Sequence, residues 1–124
     1  MRPALITVTA IWLVLAGSAT AGPDNLAGSR AWLQCRACHS LKAGEPNKVG
    51  PNLNGIMGAR AATRPGFSYS GPLAASAIVW TEASLDVWIT NPAHKVPGTR
   101  MAYAGLADPV KRQALIAYLK AESR

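Results

Sequence analysis

The chain has 124 residues, room for one domain, and carries 13 lysines and arginines against 6 acids, a net charge of +7. That charge reads either as the surface of an ordinary basic soluble protein or as an electrostatic face for an acidic partner, and cationic residues that never run longer than two in a row argue against a nucleic-acid tract. The 2 cysteines lie too close together to work as a staple, because closing so small a loop removes little unfolded-state entropy.

The first residues read as a secretory leader. Arg2 precedes an apolar run from Ala4 to Ala16, followed by small residues ending in Ala19-Thr20-Ala21. That run is too short to span a bilayer comfortably. Residues 1–21 are therefore expected to be a signal peptide and 22–124 the mature domain. Asp24-Asn25 are placed as the cap of a first helix running to Gln34 or Arg36, with Leu26, Trp32 and Leu33 as its large apolar residues. Residues 40–68 are expected to be irregular, since Gly44, Pro46, Gly50, Pro51, Gly55, Gly58, Pro65 and Gly66 punctuate them too densely for a helix. So long a loop inside a small domain needs something to wrap around. A short helix is predicted from Ser70-Gly71-Pro72 to about Ser76. Thr81 caps the next, EASLDVWIT, whose Leu85, Trp88 and Ile89 share a face, and Asn91-Pro92 stops it. Residues 93–105 read as a second irregular loop turning at Pro97-Gly98. Asp108 and Pro109 open a last helix with a stripe of Leu115, Tyr118 and Leu119 flanked by Lys111, Arg112 and Lys120. No strand pattern, repeat or linker is visible, so the fold expected is all-α with two long loops. The mature part is also poor in large side chains, its aromatics being Trp32, Phe67, Tyr69, Trp80, Trp88, Tyr103 and Tyr118. A domain of this size buries only a thin core.

The stretch QCRACHS, residues 34–40, holds both cysteines and one of the 2 histidines. A dithiol redox motif belongs in a βαβ setting, which this chain lacks. Zinc needs four ligands, and Cys35, Cys38, His39 and the distant His94 make a poor set. A bare disulfide leaves His39 unexplained. Covalent haem attachment, whose signature is C-x-x-C-H, explains all three residues. Two thiols three apart at a helix end project from nearly one face and can reach the two vinyl groups on one side of a porphyrin, and the next residue then offers an imidazole beneath the ring. The porphyrin also supplies the missing core volume. Met57, Met101 and His94 are the candidates for the other axial position. Met57, in GIMG, reads as packing, whereas Met101 follows VPGTR in a loop that can present its thioether. His94 reads as a surface loop histidine whose other role would be to replace Met101 when the loop loosens.

With CRACH, KVGPNLNGIMG, RPGFSYS, Trp80, NPAHKVPGTRMAYAG and LIAYLK in this order, the mature chain resembles mitochondrial cytochrome c and its small soluble bacterial relatives along essentially its whole length. The resemblance implies the class I cytochrome c fold, helices around one haem c and its iron. It makes Cys35 and Cys38 the thioether positions, His39 the proximal ligand and Met101 the distal one. It gives Pro51 the role of accepting from the His39 ring N–H, puts Tyr69 and Trp80 at a haem propionate, and puts Gly28 against Tyr118 where first and last helices meet. Ala59, Trp88 and Leu73 depart from the usual arginine, tyrosine and asparagine, which thins the polar network near Met101.

The function implied is soluble one-electron transfer between redox proteins of a respiratory or related chain in the bacterial periplasm, without enzymatic turnover. The alternatives are a haem peroxidase or small-gas sensor, should Met101 bind weakly, and a dedicated haem subunit of an oxidase or dehydrogenase. Arg36, Lys48, Lys95 and Arg100 are expected to ring the exposed haem edge as a basic docking surface, while Glu82, Asp86 and Asp108 fall elsewhere in sequence. A monomer without stable membrane insertion or nucleic-acid binding is expected.

Overall fold

The computed structural model describes residues 23–124. The expected leader and its junction lie outside the described residues. The helices are α1 (Pro23–Arg36), α2 (Gly71–Ala75), α3 (Glu82–Thr90), α4 (Pro92–Lys95) and α5 (Pro109–Glu122). Among the described residues there is no strand, and one isolated antiparallel bridge joins Arg60 to Val79. No helix among them is long and apolar enough to cross a membrane.

Local chemistry fixes most of the helix starts. Ser70 Oγ accepts from Leu73 N at 3.3 Å to open α2. At α3 the caps are reciprocal, Thr81 Oγ1 accepting from Ser84 N at 3.1 Å while Ser84 Oγ accepts from Thr81 N at 2.8 Å. Asp108 Oδ1 accepts from Val110 N at 2.9 Å and Lys111 N at 3.2 Å, with Pro109 at the first helical position of α5. Two expectations need correcting. α1 begins at Pro23 and takes in the residues expected to cap it. α4 lies inside the loop read as irregular: Asn91 ends α3, but its side chain accepts from His94 N at 3.1 Å and Pro92 occupies the first turn, so the stop signal is also a start signal.

α1 packs on α5. Gly28 sits at the crossing, where an added Cβ would lie 2.5 Å from the Ala114 carbonyl oxygen and 2.6 Å from Tyr118 Cβ. A glycine inside a helix costs about 1 kcal/mol relative to alanine, and close approach is what it permits here. Beside it the Trp32 and Tyr118 rings lie 6.4 Å apart. Of the large apolar residues Leu26, Trp32 and Leu33 of α1, only Trp32 is buried, the two leucines being exposed. Leu115, Ile116 and Leu119 are the buried face of α5, and Leu85, Trp88 and Ile89 that of α3. Arg112, read from sequence as a flanking charge, is buried as well. Its Nε donates to Asp86 Oδ1 at 2.8 Å and its Nη1 to the carbonyls of Leu106 and Ala107 at 3.0 and 2.8 Å, which locks α3, α5 and the chain between them together.

The long loop after α1 is organised by Asn52. This buried side chain donates to the carbonyls of Lys42 and Glu45 at 2.8 and 2.9 Å and accepts from Asn54 N at 2.8 Å, so loop backbone groups find partners without a ladder. Gly55 N and Asn54 Nδ2 donate to the carbonyls of Ser123 and Arg124, tying the loop to the end of α5. The second loop returns to α3 through Leu106 N, which donates to Ile89 O at 2.9 Å. Gly105, at φ +106°, presses on the Thr90 carbonyl where no side chain fits.

Candidate haem site

Beyond α1 the backbone makes one more turn, with Cys38 N and His39 N both donating to Cys35 O, at 3.0 and 2.9 Å. Cys35, Cys38 and His39 thereby border one cavity of about 920 Å³, at the upper end of the size range of ligand pockets. The thiols are not bonded to each other; Cys35 is partly buried and Cys38 exposed. Burial, and then the neighbouring Cys38, push the Cys35 thiol up to about 11, so it stays protonated at neutral pH.

His39 is buried, with Nδ1 2.7 Å from the Pro51 carbonyl oxygen. A carbonyl only accepts, so Nδ1 carries the hydrogen and Nε2 keeps its lone pair. Burial lowers the imidazole below its ordinary range; the Pro51 bond opposes that, and the Lys48 charge adds to it. A neutral ring with one free nitrogen is what a metal ligand requires. Gly50 makes room for the ring: a Cβ there would lie 2.7 Å from Nδ1 and 2.8 Å from Nε2. Sequence reading took this glycine only as loop punctuation, although its place directly before Pro51 was the available signal for its packing role.

Met101 borders the same cavity from the second loop. Gly98 at φ +87° and the bond from Thr99 N to Val96 O at 3.1 Å form the turn before it. Pro51, Tyr69 and Trp80 border the cavity too, so every residue singled out for the cofactor meets there. Tyr69 Oη accepts from Arg64 N at 3.2 Å, and burial raises its phenol above the ordinary range. Trp80 is buried edge-on to Trp88, their rings 5.4 Å apart. Met57 packs against the core instead, and His94 sits exposed on α4; neither borders the cavity. Of the four expected docking cations only Arg100 borders it, donating to Ser68 O at 2.8 Å. Lys48 Nζ donates to the carbonyl of Arg36 at 2.7 Å, beside the attachment turn, and Lys95 is exposed on α4. Arg64, which sequence reading passed over, also faces the cavity and holds the carbonyls of Asn52, at 3.0 Å, and Asn54.

Trp32, Trp80, Leu85, Trp88, Ile89, Leu115 and Leu119 are at once hydrophobic core and cavity wall. The core is built around a space. The donors fit haem c: two thiols, an oriented imidazole and a thioether around one largely apolar hollow. Among the described residues no group of three His, Cys, Asp or Glu side chains is arranged to hold a bare metal ion.

No protein-family model matches the chain. It is 38% identical over 119 residues to cytochrome c2 of Rhodomicrobium vannielii, covering 96% of this chain and 95% of that one. It is 44% identical over 109 residues to cytochrome c2 of Blastochloris viridis, covering 86% of each. Among solved structures, cytochrome cH from Methylobacterium extorquens superposes with a TM-score of 0.74 at 42% identity, over 79% of this chain and 98% of that one. The chain belongs to the class I cytochrome c family, electron carriers with one covalent haem c rather than enzymes.

Proposed function

We propose that Cys35 and Cys38 hold the haem as thioethers, that His39 and Met101 bind its iron, and that the mature chain shuttles single electrons between redox proteins of the bacterial periplasm. The observation that carries this reading is that both thiols, the oriented imidazole and the Met101 thioether border one cavity, although they come from two separate stretches of chain. The bound group supplies reversible one-electron iron chemistry.

The protein's part is to hold that chemistry still. Pro51 fixes the His39 ring through Nδ1 and makes the other nitrogen more basic. Met101 adds a soft donor, which favours the reduced state relative to a second imidazole. Two protein ligands leave no position for a substrate, so little rearranges on electron transfer. Tyr69 and Trp80 are assigned to the carboxylate edge of the cofactor, and the apolar wall of Leu85, Trp88 and Leu115 keeps water out. Arg36, Lys48, Lys95 and Arg100 form the docking surface in this reading. The acids expected to lie elsewhere are already engaged, Glu82 with Lys120 at 2.7 Å, Asp86 with Arg112, and Asp108 at the start of α5. Residues 1–21 are assigned to a leader removed on export. Nothing in the geometry favours a peroxidase, a gas sensor or a fixed subunit.

The ferric protein is expected to show a near-infrared sulfur-to-iron charge-transfer band. Met101→Ala is expected to abolish it, give a high-spin spectrum and lower the reduction potential. A band that survives in Met101→Ala would remove Met101 from the ligand set. Reduction by an acidic partner is expected to slow as salt rises, and a rate indifferent to ionic strength would remove the docking surface.

A further inference from the structure

Met101 sits between two side-chain tethers. One residue before it, Arg100 Nη2 donates to Ser68 O at 2.8 Å. Two residues after it, Tyr103 Oη donates to Gln34 Oε1 at 3.0 Å. Tyr103 N also donates to Met101 O at 2.9 Å, so a constraint on the tyrosine is passed directly to the methionine backbone. All four tether residues border the cavity, and each bond joins the second loop to a different part of the wall, one to the first long loop and one to the last turns of α1. The loop is thus fastened on both sides of the residue it presents. The Tyr103–Gln34 bond spans 69 positions of sequence and is exposed, which makes it a contact that can break without disturbing the core.

We propose that these two tethers form a strap that holds Met101 on the iron, with Tyr103 and Gln34 as positioning residues that set how often the distal position opens to small external ligands. The proposal rests on the assignment of Met101 as distal ligand. An external ligand binds only when Met101 has let go, so its apparent affinity is the intrinsic affinity scaled by the open fraction. A hydrogen bond present only in the closed state lowers that fraction by its net strength. For one neutral, exposed bond this is about threefold, and for both tethers roughly tenfold.

The test uses the ferric holoprotein, titrated at neutral pH with imidazole and followed by loss of the near-infrared band. Tyr103→Phe keeps the ring and removes the hydroxyl, and imidazole is expected to bind about threefold more tightly. Gln34→Ala is expected to match that change alone and to add nothing on the Tyr103→Phe background, since both variants remove one bond. Adding Arg100→Ala is expected to bring the total to roughly tenfold. Ser29→Ala, on α1 away from the cavity and both tethers, is expected to leave the affinity where it was. Wild-type affinity in Tyr103→Phe, with the band intact, would overturn the strap and leave the Met101 assignment standing, as would Gln34→Ala and Tyr103→Phe acting independently. A wild-type protein without the band would overturn the Met101 assignment, and the strap with it.

Discussion

Where α1 crosses α5, backbone meets side chain with nothing between them: Gly28 lies against Ala114 and Tyr118, and a single added carbon would collide. Further along the same helices, Trp32 and Leu119 border a cavity of about 920 Å³ walled on its other sides by α3 and the loops. The first region is complete in itself. The second is a shell around a cavity large enough to take a cofactor, and this is where so much of the chain is irregular. Residues 40–68 and 96–106 hold together through Asn52, Arg64 and scattered backbone bonds, which shape a surface but bury little of their own. Stability in the helical joint is a property of the polypeptide, and stability around the cavity belongs to polypeptide and haem together.

The contrast is broken most severely by withholding the cofactor. The mature chain with Cys35→Ser and Cys38→Ser, made without haem, is expected to lose its cooperative melting transition. Amide protection should vanish over residues 40–69 and 96–106, with residual helicity concentrated in α1 and α5. Two helices of 14 residues are marginal alone, so even that remnant should be weak. A haem-free chain that melted like the loaded one would show the loops to be self-supporting. The joint is attacked instead by Gly28→Val in the haem-bound protein. Its side chain has to displace the Ala114 carbonyl, and a loss of about 3 kcal/mol is expected in denaturant unfolding, with the near-infrared band retained because the cavity is untouched. A smaller loss, about 2 kcal/mol, is expected for Asp86→Ala, which deprives the nearly buried Arg112 of its charged acceptor while its bonds to Leu106 and Ala107 persist. If Asp86→Ala also shifted the reduction potential as far as Met101→Ala does, the two regions would not be separable in the way described.

The same division governs what the sequence made legible. Thr81, Asp108 and Pro109 act through neighbours within four residues, so their helices could be read directly, as could the spacing of Cys35, Cys38 and His39. α4 was missed because Asn91-Pro92 carries a stop and a start in the same two residues. Arg112 was taken for a surface charge because its partner Asp86 lies 26 positions away and on another helix. The roles of Asn52 and Gly50 exist only once the loop has closed on the Lys42 carbonyl and on the His39 ring. Tyr103 and Gln34 are 69 residues apart, and neither residue type announces the other. What acts over one helical turn could be read from the chain; what depends on loops folding over a cofactor had to be seen.

The most direct test is mass spectrometry of the exported protein, matured in cells that attach haem. The expected result is one haem per chain that withstands acid extraction, with the added mass on the peptide carrying Cys35 and Cys38 and half-attached product when either is changed to serine. Bare polypeptide with two free thiols, or a haem that acid removes, would contradict the covalent attachment proposed at Cys35 and Cys38.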